Sequence, residues 1–251
     1  MKHTYENICD HVDSRTNAQA VGIAPFNQGD EGEDHDVEID EGICQGIVIE
    51  WLKHRRDNKI EQVFSSAKKV AEIPVKSIQD GKAKPTKDTK PIGDQTLGTL
   101  ERAKIAQANY EEGISSRDDE QLPYTVVVEL GRRGFSEKTT RLLRLPNDRK
   151  AANWKAVAYD IATKIEEAQF NYFNISIEGV VGDKSMGHAI AAYRPAVLIG
   201  KSKTFRIFDP NIGEFEVNKD SADDTIRMLL ENYTDLMTDA YSIVIDGIQK
   251  T

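Results

Sequence analysis

Apolar residues recur at helical spacing in the first half of this chain and gather into β-branched runs in the second, and that order constrains the fold most. Ile43, Ile47, Val48, Trp51 and Leu52 form one stripe, followed by charged residues from Lys53 to Arg56. The stripe predicts an amphipathic helix beginning near Gly42–Cys44, with Asp40 and Glu41 placed to cap it and offset its dipole. Further helices are expected at about Lys59–Glu72, Leu97–Glu112, Ala151–Phe170 and Ala222–Tyr233. Strands are expected at Tyr124–Leu130, Phe173–Val181, His188–Ile199, Thr204–Phe208, Glu214–Val217 and Tyr241–Ile248. Helices early and strands late define an α+β fold with an antiparallel sheet, not the alternation of a parallel α/β fold.

Residues 1–38 lack apolar periodicity and include the acidic, glycine-containing run Gly29–Asp36. They read as a flexible acidic segment ahead of a single domain spanning 39–251. Inside that domain the stretch 74–95, rich in Lys, Asp, Gly and Pro, reads as a long mobile loop. The acidic residues around His35 match no metal-ligand spacing, so a solvated charged loop is expected, with no metal and no cofactor. The formal net charge is −9, which argues against nucleic acid as the main partner. No apolar run reaches the ~18 residues of a membrane span. The N-terminal MKHTYENICDHVDS has no apolar core of a secretory signal, so synthesis in a reducing cytoplasm is expected. Export by a machine that reads a different signal, with action in a target-cell cytoplasm, stays open. The two cysteines, Cys9 and Cys44, make no disulfide framework. Oligomeric state is not written in the sequence.

Three short segments carry chemistry. In Glu41-Gly42-Ile43-Cys44-Gln45-Gly46 the cysteine falls in the first turn of an apolar helix, where unpaired N–H groups and the dipole favour a thiolate. Gly42 would let a substrate chain approach, Gly46 would leave room beside the sulfur, and the Cys44 N–H could bind an oxyanion. In Gly187-His188-Ala189-Ile190 the histidine is expected to open a strand after the glycine-rich turn 182–187. In Phe208-Asp209-Pro210-Asn211-Ile212-Gly213 an aspartate ends an apolar strand and a turn follows. Each segment has a plain reading by itself: a core cysteine, a surface histidine, a good turn. Their order, cysteine on a helix start, histidine on a strand, aspartate at the end of the next, is that of papain-like hydrolases.

Gly-x-Cys before an apolar helix with Trp51, then Gly-His-Ala-Ile, then Phe-Asp-Pro-Asn-x-Gly-x-Phe, resembles the YopT/AvrPphB family of bacterial effector cysteine proteases. The resemblance covers these three blocks and says little about residues 1–38, 60–120 or 130–150. It implies a papain-like fold, with N-terminal helices and the nucleophile at a helix start packed on an antiparallel sheet. It implies Cys44 as nucleophile, His188 as base and Asp209 as the group that orients it. It also implies a protein substrate; members of the family cut host regulatory proteins, and some process themselves.

Two departures from the family pattern stand out. His188 and Asp209 are 21 residues apart, which predicts an enlarged hairpin around Pro195 and Val197–Ser202. Where an amide side chain is expected just before the cysteine, Asp40 and Glu41 stand instead, leaving Asn27, Gln28 or Gln45 as candidate oxyanion donors. The leading expectation is a thiol endopeptidase of effector or toxin type. The same three residues would also serve deamidation, transglutamination or acyl transfer, which share a thioester intermediate. A third reading is a binding module that keeps the fold without catalysis.

Overall fold

The structure, a computed structural model, describes residues 2–34, 42–56, 100–109, 111, 135–145, 153–181, 184–195, 202–233 and 241–250. Its centre is a seven-stranded sheet, wholly antiparallel in its pairings. In chain order the strands are β1 (Val21–Pro25), β2 (Phe135–Leu145), β3 (Tyr172–Val181), β4 (Lys184–Tyr193), β5 (Thr204–Asp209), β6 (Gly213–Asn218) and β7 (Tyr241–Lys250). In space they run β1-β6-β5-β4-β3-β7-β2. Among the described residues the helices are α1 (Tyr5–Asp10), α2 (Gln28–Asp34), α3 (Cys44–Arg56), α4 (residues 100–109), α5 (Trp154–Glu167) and α6 (Ala222–Glu231).

Alternation along the strands gives the sheet two faces. Phe173, Ile175 and Ile177 of β3 join Ile190, Ile207, Phe215 and Ile245 in one core, closed by α5 and α6. Trp154, Val157, Ala158, Ile161, Ala162 and Ile165 are the buried stripe of α5, at the 3.6-residue spacing of a helix face. Asn153 caps its start by accepting the Ala156 N–H. The buried Arg194 guanidinium ends it, donating to the carbonyls of Ile165, Glu166, Ala168 and Phe170 at 2.6–2.9 Å. On the other face α3 and α4 pack over Tyr172, Ala189, Ala191, Phe208 and Ile248.

α3 falls where the apolar stripe predicts it. A Cβ on Gly46 would stand 2.0 Å from the Ala103 carbonyl oxygen, so this glycine lets α4 cross α3. That corrects the expectation that Gly46 makes room beside the sulfur. The acidic run also differs: Gln28–Asp34 is helical, because the Asn27 side chain accepts the Gly29 and Asp30 N–H groups and early acidic residues suit a helix start. The described part of the expected N-terminal segment, residues 2–34, packs onto the sheet. Val21–Pro25 is an edge strand of the sheet, and Ile8 belongs to the core. The strand expected to begin at His188 begins at Lys184, since pairing with Val181 through Glu178 of β3 extends the ladder back through residues of poor strand propensity. The helix at 59–72, the loop at 74–95, the strand at Tyr124–Leu130, the capping by Asp40 and Glu41, and the Val197–Lys201 part of the hairpin lie outside the described residues.

Candidate active site

β5 pairs with β4 only along Arg206–Phe208 and Ala191–Tyr193. Beyond that point the two strands part, and the site lies in the opening. Asp209 ends β5 and is fully buried. His188 sits on β4 two residues before Ile190, on the same face, and is also buried. Its Nε2 is 3.1 Å from Asp209 Oδ1. Cys44, the half-buried first residue of α3, stands against the same imidazole closely enough to raise its pKa. With Nε2 turned to Asp209, Nδ1 is the ring nitrogen left for the sulfur. The structure therefore brings the three residues of the three motifs together.

Electrostatics favour a charged imidazole. Burial pulls the His188 pKa down, but the Asp209 charge and hydrogen bond, followed by Cys44, raise it to about 10. The Asp209 carboxylate is met by further donors. The Asn211 backbone N–H reaches Oδ1 at 2.8 Å, and the Tyr233 hydroxyl is 2.8 Å from both oxygens. The Tyr233 ring stacks on the imidazole, centroids 4.1 Å apart.

The three amide candidates separate clearly. Gln45 is buried and points into the sheet, donating to Asn174 Oδ1 at 3.0 Å, while Asn174 donates to Ser176 Oγ. Asn27 spends its oxygen on the start of α2, and its amide reaches the Asn211 carbonyl at 3.4 Å. Gln28 lies beside the residues that lead into Cys44. Its Oε1 accepts the Ile43 N–H at 2.8 Å, and its Nε2 donates to Asn211 Oδ1 at 2.6 Å. Gly42 next to it has φ +81°, a conformation that favours glycine. Of the three, Gln28 is the amide that reaches the segment before the cysteine, from 15 residues upstream of Ile43. Tyr233 and the Asn211 side chain escape sequence reasoning altogether, although Asn211 lies within the Asp-Pro-Asn-x-Gly motif.

A helix-borne cysteine facing a histidine and an aspartate of an antiparallel sheet is the layout of a papain-like cysteine peptidase. The sequence profile of the Peptidase_C58 family, described as Yersinia/Haemophilus virulence surface antigen, matches residues 11–242, and the chain belongs to that family. It is a cysteine peptidase of the YopT/AvrPphB group of bacterial virulence effectors. Among solved structures, the crystal structure of the Pseudomonas avirulence protein AvrPphB is similar, with a TM-score of 0.52. The likeness covers 89% of this chain and 96% of that one at 16% identity, and it speaks for the shared α+β fold. No curated protein matches the sequence. Among the described residues, no helix is long and apolar enough to cross a membrane.

Proposed function

We propose that the chain is a thiol endopeptidase in which Cys44 is the nucleophile, His188 the acid–base and Asp209 the orienting carboxylate. The observation that carries this reading is the imidazole held between Cys44 and the buried Asp209. With its pKa raised to about 10, His188 is an imidazolium at neutral pH and pairs with the Cys44 thiolate. The sulfur attacks the scissile carbonyl carbon, and the oxyanion is received by the Cys44 N–H at the helix start and by Gln28. One Gln28 amide hydrogen is committed to Asn211, leaving the other for this task. The C–N bond breaks as His188 gives its proton to the leaving amine, and a thioester remains. The neutral imidazole then takes a proton from water, whose oxygen attacks the thioester. The acid product leaves, and the thiolate–imidazolium pair is restored.

The substrate is a protein of a target cell, reached after export, and the net charge of −9 favours a basic target segment. Mixing the wild-type chain or Cys44→Ala with a target-cell proteome and sequencing new N-termini by mass spectrometry tests the reading. New termini are expected with the wild type alone. Deamidated or acylated side chains without new termini would move the same site to thioester transfer chemistry. Unmodified proteins would leave only the binding module.

The alkaline limb of activity gives a second test. The reactive form needs protonated His188, so activity is lost as pH rises through about 10. Asp209→Asn removes the charge that raises this pKa, and its limb should fall to lower pH, with a smaller maximum rate. A limb that stays in place would remove Asp209 from the assignment.

A further inference from the structure

A fully buried carboxylate needs donors for both of its oxygens. For Asp209, His188 Nε2 and the Asn211 backbone N–H both address Oδ1, at 3.1 and 2.8 Å. Among the described residues, Oδ2 is served by the Tyr233 hydroxyl, which lies 2.8 Å from each oxygen. The Tyr233 ring meanwhile covers one face of the imidazole, 4.1 Å between centroids and inclined by 23°. One side chain therefore touches both members of the pair. Its hydroxyl holds the acid, and its ring closes a face of the base.

Tyr233 is itself well anchored. Its backbone N–H donates to the Leu230 carbonyl just past α6, and Asn211 Nδ2 donates to its hydroxyl at 3.3 Å. The preceding residue is tied to the start of the chain. Asn232 Oδ1 accepts the Lys2 and His3 backbone N–H groups at 2.7 and 2.6 Å, and its Nδ2 donates to the His3 carbonyl at 2.9 Å.

We propose that Tyr233 is a positioning residue, fixing Asp209 in the orientation that receives Nε2–H and preventing the imidazole from turning away from Cys44. The assignment rests on the roles given above to His188 and Asp209. The phenol stays a donor throughout: burial first, then the Asp209 charge, push its pKa well above the ordinary tyrosine value. The titratable groups facing His188 among the described residues are Asp209 from β5, Cys44 from α3 and Tyr233 itself.

The test uses Tyr233→Phe and Tyr233→Leu in the full chain, with two readouts. Nitrogen NMR of the His188 ring against pH needs no substrate, and kcat and KM on a cleaved peptide need the activity. Tyr233→Phe keeps the ring and loses the donor. Asp209, with one hydrogen bond fewer, then holds the His188 proton more tightly, so the ring titrates at higher pH. Loss of a hydrogen bond to a buried charge is expected to lower kcat roughly ten-fold with KM unchanged. Tyr233→Leu loses ring and donor together. Its imidazole drifts from Asp209, titrates at lower pH, and kcat falls further. A wild-type titration and wild-type kcat in Tyr233→Phe would overturn the proposal. So would losses in both variants that follow a lower Tm while the ring titration stays put. If the titrations move as stated but even the wild type cleaves no peptide, the positioning role stands and the endopeptidase reading fails.

Discussion

The two faces of the sheet are held by different forces, and the site draws one reactive group from each. On the face that shares parity with His188 and Asp209, apolar strand side chains pack beneath α5 and α6, and the buried Arg194 holds the end of α5 through backbone carbonyls and not through an ion pair between elements. On the face that carries the Cys44 helix, buried charges stand among the apolar side chains. Glu214 accepts from Trp51 Nε1 at 3.0 Å and from Arg206 at 3.2 Å, and it also binds the buried Arg55. Glu50, fully buried on α3, meets Arg102 of α4 at 3.1 Å. An apolar contact tolerates small sliding, whereas a hydrogen-bonded ion pair accepts one register. The contrast assigns the polar face the task of placing the nucleophile along the sheet. The apolar face carries the base, whose place is set by its own hydrogen bond to Asp209 and by the groups that hold that carboxylate.

The largest effect should come from breaking the Glu214 cluster. Burial pulls the Arg55 pKa down, and the Glu214 charge is the main influence that opposes it. In Glu214→Ala, Arg55 is left buried beside Arg206 without its carboxylate, at a cost of about 3–5 kcal/mol in urea unfolding. Replacing the pair together, Glu214→Leu with Arg55→Met, removes both charges and should recover much of that loss. Activity is the sharper readout. The double variant should regain stability without regaining full activity, because the register of α3 is no longer dictated. If stability and activity return together, the ion pair contributes to folding alone and the contrast between the faces fails.

How far these features were legible depends on whether the cause was local. The Cys44, His188 and Asp209 motifs carry both a reactive side chain and its setting, so the sequence brings all three forward. The alternation of Phe173, Ile175 and Ile177 against Asn174 and Ser176 marks β3 for the same reason. Tyr233 could not be read in this way. It reaches Asp209 from 24 residues away, past the end of a helix whose periodicity explains only its own burial. Gln28 is similar, since its place beside Ile43 depends on β1 joining the sheet at β6. β1 itself is Val-Gly-Ile-Ala-Pro, too poor in strand formers to be noticed, and it is a strand because β6 offers an open edge. The Gly46–Ala103 contact joins two helices across a long stretch of chain and leaves no trace in local spacing.

The smallest effect should come from the apolar face. Ile226 is buried on α6 in the core beneath α5, with no polar partner to lose. Ile226→Val removes one methyl group and leaves a small void, at a cost of about 0.5–1.5 kcal/mol in urea unfolding. The His188–Asp209 geometry does not depend on that methyl group, since the pair is held by hydrogen bonds to Asn211 and Tyr233. Activity per folded molecule should therefore equal that of the wild type, and the alkaline limb should stay where it was. Should Ile226→Val shift the limb, α6 would be transmitting its packing through Tyr233 to the imidazole. The apolar face would then be setting the chemistry of the base as strictly as the ion pairs set the place of the nucleophile.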